Sequence, residues 1–260
     1  MPSTNANNLP PESKHGEVRA PRRRSGVNAL VGFLVVVVAV IFVMSVFFRV
    51  SDIRVEGNEH YTDQEIINAS GIEEGDNLFF FDKFSALSRA YTKLPYLEEV
   101  TVDRRLPGRV TINVKECKAM AYLSLGDENW TIDHSCKVLG KAVDTELSEL
   151  IPVYGVDPGT LMIGEKLERA DGSEEMVDYL AMLLLELQER GISDQTRRID
   201  FSDPYRVSFA LGDRFTVVVG GPMKLDHKFA MLFSVLEQLK DGDTGTIDVS
   251  DGSTARFIPY

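Results

Sequence analysis

Side chains able to catalyse a reaction are present, but their spacing does not suit them to it. The four histidines stand at 15, 60, 134 and 227, and none forms the His-Glu-x-x-His pattern that sets two imidazoles and a general base on one helix face. No serine in residues 50–260 is followed three positions later by the lysine of a penicillin-binding transpeptidase. The segment Gly159-Thr160-Leu161-Met162-Ile163-Gly164-Glu165-Lys166 has the glycine spacing of a phosphate loop. Glu165 stands where that loop requires lysine, and a carboxylate there repels phosphate, so we read a turn. Asn68-Ala69-Ser70 and Asn129-Trp130-Thr131 match glycosylation triplets, which chance also supplies. The expectation is a non-enzymatic protein with no catalytic residue, no metal and no cofactor. An enzyme whose site is gathered from scattered residues is the competing reading.

The elements that carry these residues divide by charge and polarity. The formal charge is −12, unevenly spread. In residues 1–26, Lys14, Arg19, Arg22, Arg23 and Arg24 stand against Glu12 and Glu17, a net +3 that leaves −15 for the rest. An acidic body has no basic face for phosphates, which argues against nucleic acid as a partner. Residues 27–48 are 22 positions without a charge. As a helix rising about 1.5 Å per residue they reach roughly 33 Å, enough for a hydrocarbon core of about 30 Å. A cleaved signal peptide would have a shorter apolar stretch and a small-x-small ending. Here the stretch ends in Phe47, Phe48 and Arg49. Arg22-Arg23-Arg24 directly before it predict a cytoplasmic N-terminus and an extracytoplasmic body. The polar, Pro-containing tail 1–26 is expected to be disordered. Cys117 and Cys136 are permitted a disulfide outside the cell, yet the body is large enough to fold without one, and both readings stand.

Beyond the span, Ile53 and Val55 alternate with Arg54 and Glu56 as a short strand. Thr62-Asp63-Gln64-Glu65 has capping-box spacing, which starts a helix that stops near Gly71. A second helix is expected over about 82–94, with Phe84, Leu87, Ala90, Tyr91 and Leu94 on its apolar face and Pro95 ending it. Val100 and Val102, then Val110, Ile112 and Val114, alternate about an Arg104-Arg105-Leu106-Pro107-Gly108 turn, a hairpin with one buried face. The order is strand, helix, helix, strand, strand, a two-layer α+β unit.

That order resembles a POTRA domain. The segment LPYLEEVTVDRRLPGRVTINVKE is similar to the corresponding stretch of the bacterial FtsQ/DivIB cell-division family. Leu94, Pro95, Tyr96, Val100, Val102, Arg104, Arg105, Pro107, Ile112, Val114 and Glu116 are the matching residues. The basic tail, the single span and the strand directly after it belong to the same resemblance. It implies a tail (1–26), a transmembrane helix (27–48), a POTRA-like β-α-α-β-β domain (50–117) and a β-rich domain with two packed helices (118–260). In the second part the sequence predicts a hairpin across 130–139, a helix that Ser173 caps and Gly191 ends, strands about Gly212-Asp213, a helix over 224–239, and a last pair at 246–249 and 254–258. Where the family usually has glycine this chain has Cys136, which restricts a turn at positive φ and which a bond to Cys117 would offset.

The resemblance implies a scaffold of the septal division machinery. Its partners would be FtsL-like and FtsB/DivIC-like proteins and, through them, the septal peptidoglycan synthase; no small-molecule substrate is implied. The family's terminal strand receives its partner by strand addition. Here that site falls on Thr246, Ile247, Val249, Ser250, Thr254, Arg256, Phe257 and Tyr260. Core packing is the competing reading for Val249 and Phe257. Arg104 and Arg105 at the hairpin tip would meet an acidic partner or lipid headgroups, or else stand solvated. A POTRA-bearing accessory factor of transport or envelope assembly is the alternative function.

Overall fold

The computed structural model describes residues 25–260, so Arg22, Arg23, Arg24 and the expected disordered tail lie outside the described residues. Helix α1, Ser25–Phe47, contains no charged residue, and its Val27–Phe47 part is long and apolar enough to cross a membrane. A second compact unit comprises Arg49–Tyr260. Within it, the described residues form two sheets, of three and nine strands.

The smaller sheet uses β1 (Asp52–Glu56), β2 (Leu97–Arg105) and β3 (Arg109–Glu116) in the order β1-β3-β2. Strand β1 runs parallel to β3, with Ile53 opposite Val110 and Val55 opposite Ile112. The β2–β3 hairpin is antiparallel and brings Val100 to Val114 and Val102 to Ile112. A parallel neighbour needs a crossover, and α2 (Asp63–Ser70) and α3 (Lys83–Lys93) supply it. Thr62 and Glu65 close the expected capping box on α2, and Asp82 caps α3 by accepting from the N–H groups of Phe84 and Ser85. Gly57 has φ +92°, and a Cβ there would lie 2.1 Å from the Val114 carbonyl oxygen, so only glycine fits.

The expected apolar face of α3 holds at Ala90 and Leu94 and fails at Phe84 and Tyr91. Its buried stripe is Ala86 and Ala90, small residues that let the helix approach the sheet, whereas Phe84 is 81% exposed. Residues 84 and 86 differ by about 200° around a helix, and spacing alone did not fix which stripe turned inward. Arg104 and Arg105 also sit at the end of β2 rather than in the turn, which is 106–108.

The larger sheet comprises β4 (Ala121–Leu125), β5 (Glu128–Ile132), β6 (Val138–Lys141), β7 (Ile151–Tyr154), β8 (Thr196–Asp200), β9 (Ser208–Leu211), β10 (Phe215–Val218), β11 (Gly245–Asp248) and β12 (Arg256–Pro259). Their order is β12-β11-β10-β9-β8-β7-β4-β5-β6. Strands β7 and β8 are parallel, as are β10 and β11, and the crossovers carry α4 (Glu175–Glu189) and α5 (Leu225–Leu236). Both helices bury apolar residues in one core with the sheet, among them Leu180, Leu183, Leu184, Phe229 and Leu232. Phe209 stacks on Phe229 at 5.9 Å, and Tyr179 donates to the Gly220 carbonyl at 2.6 Å. Two expectations shift. The cap position of α4 is Glu174, without a side-chain bond, while Ser173 N–H donates to Asp171. Helix α5 ends at Leu236, short of residue 239.

Candidate interaction edge

Strand β12 ends the nine-stranded sheet, and among the described residues no strand pairs with its outer side. Its register fixes which backbone groups are free. Gly245 N–H donates to Arg214 O and Val249 N–H to Val218 O, so the odd-numbered residues of β11 bond to β10. The even-numbered residues face β12, where Tyr260 N–H donates to Thr244 O at 3.1 Å. Antiparallel alternation then turns Ile258 and Arg256 inward and Phe257 outward. Phe257 thus offers both an N–H and a C=O to the free edge. Pro259, also outward, offers only a carbonyl, in keeping with proline's confinement to edges.

Side chains follow the same alternation. Ile199, Phe209, Val217, Ile247 and Phe257 stand opposite one another across five strands on the helix-covered face. All but Phe257 are buried, and Phe257 is half-buried with its ring edge-on to Phe215 at 6.2 Å. The opposite face carries Arg198, Ala210, Thr216, Thr246 and Ile258 in register, with Ile258 55% exposed. Tyr260 lies across this row, donating to Thr216 Oγ1 at 3.0 Å and accepting from Thr246 Oγ1 at 3.3 Å. These hydroxyl contacts hold its phenol below the usual tyrosine range.

A compact turn joins β11 to β12. Asp251 accepts from the Thr254 hydroxyl and from the N–H groups of Thr254 and Ser253, which hold its carboxyl far below the ordinary range. Asp248 accepts from Ser250 N–H at 3.0 Å and from its hydroxyl at 2.6 Å. Ser250 and Thr254, expected in the last strands, are therefore turn residues whose polar groups are engaged. Beneath the turn, buried Lys228 donates to the carbonyls of Val219 and Gly221, at 2.8 and 2.7 Å. Ile247 and Val249 are fully buried, so for Val249 core packing prevails over partner contact. Arg256, Phe257 and Tyr260 remain reachable at the edge, and Thr246 beside them is partly exposed.

Comparison with known proteins places the chain among relatives. Residues 48–116 match the family model for the POTRA domain, FtsQ-type. Over 247 residues the chain is 22% identical to the cell division protein DivIB of Clostridium botulinum strain Hall, covering 93% of this chain and 95% of that one. The cell division protein FtsQ of Corynebacterium glutamicum is 24% identical over 216 residues, 82% of this chain and 90% of its own. Residues 48–116 thus form an FtsQ-type POTRA domain, and along most of its length the chain is similar to FtsQ and DivIB cell-division proteins. Its POTRA match ends on Glu116, whose carboxylate accepts the successive backbone N–H groups of Glu59, His60 and Tyr61. That carboxylate ties the loop after β1 to the end of β3.

The remaining expected site residues stand apart from this edge. Arg104 donates to Phe81 O at 2.9 Å and lies 4.4 Å from the centre of its ring, and Arg105 is exposed opposite Arg109. Cys117 and Cys136 are both free and buried, so the disulfide is not formed. Burial pushes the Cys117 thiol up to about 11 and raises that of Cys136 as well. Cys136 has φ +63°, the left-handed conformation expected at this turn, and its side chain fills the core. Among the described residues, no three His, Cys, Asp or Glu side chains are grouped to hold a metal ion. Sequence reasoning missed Arg198 and Thr216, which no local pattern marks, whereas Ile258 lies within the expected last strand.

Proposed function

We propose that this chain is a non-enzymatic, single-pass membrane scaffold of the division septum. Its N-terminus is cytoplasmic, by the arginines before the span, and its body is extracytoplasmic. A POTRA-like domain (50–117) is followed by a β-rich domain (118–260) that engages an FtsB/DivIC-like protein and, with it, an FtsL-like protein. Through these the chain is linked to the septal peptidoglycan synthase.

The observation that carries this reading is the outward Phe257 N–H and C=O on β12, an end strand of the nine-stranded sheet. An extended partner segment laid along β12 gains two hydrogen bonds at Phe257 and a third at the Pro259 carbonyl, each worth roughly 0.5–1.5 kcal/mol net. Arg256, Ile258 and Tyr260 supply selectivity beside it. The names of the relatives support a role in division in general terms.

The test is co-purification of the full chain, in membranes, with the FtsB/DivIC-like and FtsL-like proteins of its own cell. Truncation after Gly252 removes β12 and spares the core residues Ile247 and Val249. Binding is expected to vanish on truncation while the amides of β2 and β3 keep their exchange protection. Undiminished binding would remove β12 as the site. A fluorescent fusion absent from the septum would favour an accessory factor in envelope assembly.

A further inference from the structure

One end of the small sheet carries apolar side chains that the fold does not use. Arg49 follows Phe47 by two residues, so the covalent chain holds it within about 7 Å of the end of the apolar segment. Around this entry point, Arg49 bridges Asn77, and Val50 donates to Asp76 O and accepts from Gly75 N–H. Ser51 N–H donates to Gly108 O at 2.8 Å. The hairpin tip and the turn that leads into α3 therefore meet here, a placement that the Arg104–Phe81 contact also requires. From these two turns and the start of α3 project Phe80, Leu106 and Phe84, exposed by 65%, 65% and 81%. The interior behind them is filled by Leu78, Ala86 and Ala90.

The charges fit a particular neighbour. Lys83 adjoins Phe84, Arg105 adjoins Leu106, and Arg104 lies over Phe81. Carboxylates at the same end are engaged within the fold. Asp52 pairs with Arg109 and Arg54, Asp82 caps α3, and Asp76 accepts from Glu73 N–H. Glu73 and Glu74 are exposed on the adjoining turn. Exposed aromatic and aliphatic groups bordered by Lys and Arg are the composition of a surface that lies in the headgroup region of a bilayer. A membrane is also the neighbour that the covalent tether presents without recruitment.

We propose that Phe80, Phe84 and Leu106 enter the outer headgroup region of the membrane that holds the span, with Lys83, Arg104 and Arg105 at the level of the lipid phosphates. The contact sets the POTRA-like part on the bilayer. It rests on reading α1 as an uncleaved span, and the test separates the two.

Trp130 is the chain's single tryptophan, so Trp130→Phe gives a silent background. Into the full chain one tryptophan is returned at Phe84, at Leu106, or at Tyr205, a position 87% exposed in the β-rich part. Each variant is reconstituted in vesicles of phosphatidylcholine and phosphatidylglycerol brominated near the headgroup, and flotation with the vesicles is read first. Floated Phe84→Trp and Leu106→Trp chains are expected to be quenched at least about threefold more than Tyr205→Trp, because interfacial side chains sit some 5–10 Å deep. Equal quenching at the three positions overturns the proposal and leaves the span standing. Shielding of Phe84→Trp that arises only when other division proteins are added also overturns it, by assigning the patch to a protein. A chain that does not float overturns the span reading and this inference with it.

Discussion

Gly245 offers a way to loosen β12 without touching its sequence. A Cβ at residue 245 would lie 2.3 Å from Ile258 O, 2.8 Å from Phe257 Cε2 and 2.9 Å from Pro259 Cα, and all three atoms belong to β12. Ordinary contact begins at 3.4 Å, so in Gly245→Ala the terminal strand must retreat by about 1 Å. That distance is enough to break hydrogen bonds whose useful range ends near 3.2 Å. Overpacking of this kind costs about 1–3 kcal/mol. A terminal strand can open by itself, so the cost should appear as local opening rather than global unfolding. At about 1.4 kcal/mol per factor of ten, protection of the Ile258 and Tyr260 amides falls roughly 5- to 150-fold. The amides of β8 and β9 remain as they were.

Amide hydrogen exchange of the full chain at single-residue resolution measures this directly. In the unsubstituted chain the Ile258 and Tyr260 amides are expected to exchange slowly and that of Phe257 quickly, because only the first two point at β11. A Phe257 amide as slow as that of Ile258 would refute the register on which the free edge depends. Unchanged exchange at Ile258 and Tyr260 in Gly245→Ala would refute the steric argument.

The turn before β12 adds an acid dependence. Asp251 is held below its unfolded value of about 3.9, so its contribution is complete above that pH and is lost as pH falls through the folded value. The stability difference between the unsubstituted chain and Asp251→Asn, measured by denaturant unfolding, should be flat from neutral pH to about 4 and shrink below it. The thiols give a separate check. Buried Cys117 and Cys136, with both pKa values raised, should alkylate far more slowly in the native chain than in denaturant. Native labelling as fast as unfolded labelling, or an intact mass that carries a disulfide, would contradict the free, buried state.

Much of this protein is local, and local features were legible. The apolar 27–48 stretch follows from length and the absence of charge. Helix α3 lies between Asp82 and Pro95 because one accepts the orphan N–H groups and the other cannot continue the ladder. The β2–β3 hairpin is set by alternation about a Pro-Gly turn, and the left-handed φ at Cys136 by its place in a tight turn between strands. Each depends on residues a few positions apart, where the chain's own stereochemistry decides.

Partners distant in sequence decided the rest. Alternation reads alike in a central strand and an edge strand, so residues 245–260 could not show that β12 is last or that Phe257 N–H points outward. That required the pairing of β11 with β10, some thirty residues away. Likewise α3 had two plausible inward stripes, and only the approach of the sheet selected Ala86 and Ala90 and left Phe84 outside. Arg198 and Thr216 joined Tyr260 through the register of five strands, which no local pattern encodes. Sequence by itself determined where most helices and strands form and that one of them is long and apolar enough to cross a membrane; long-range packing determined which of their edges and faces remain open.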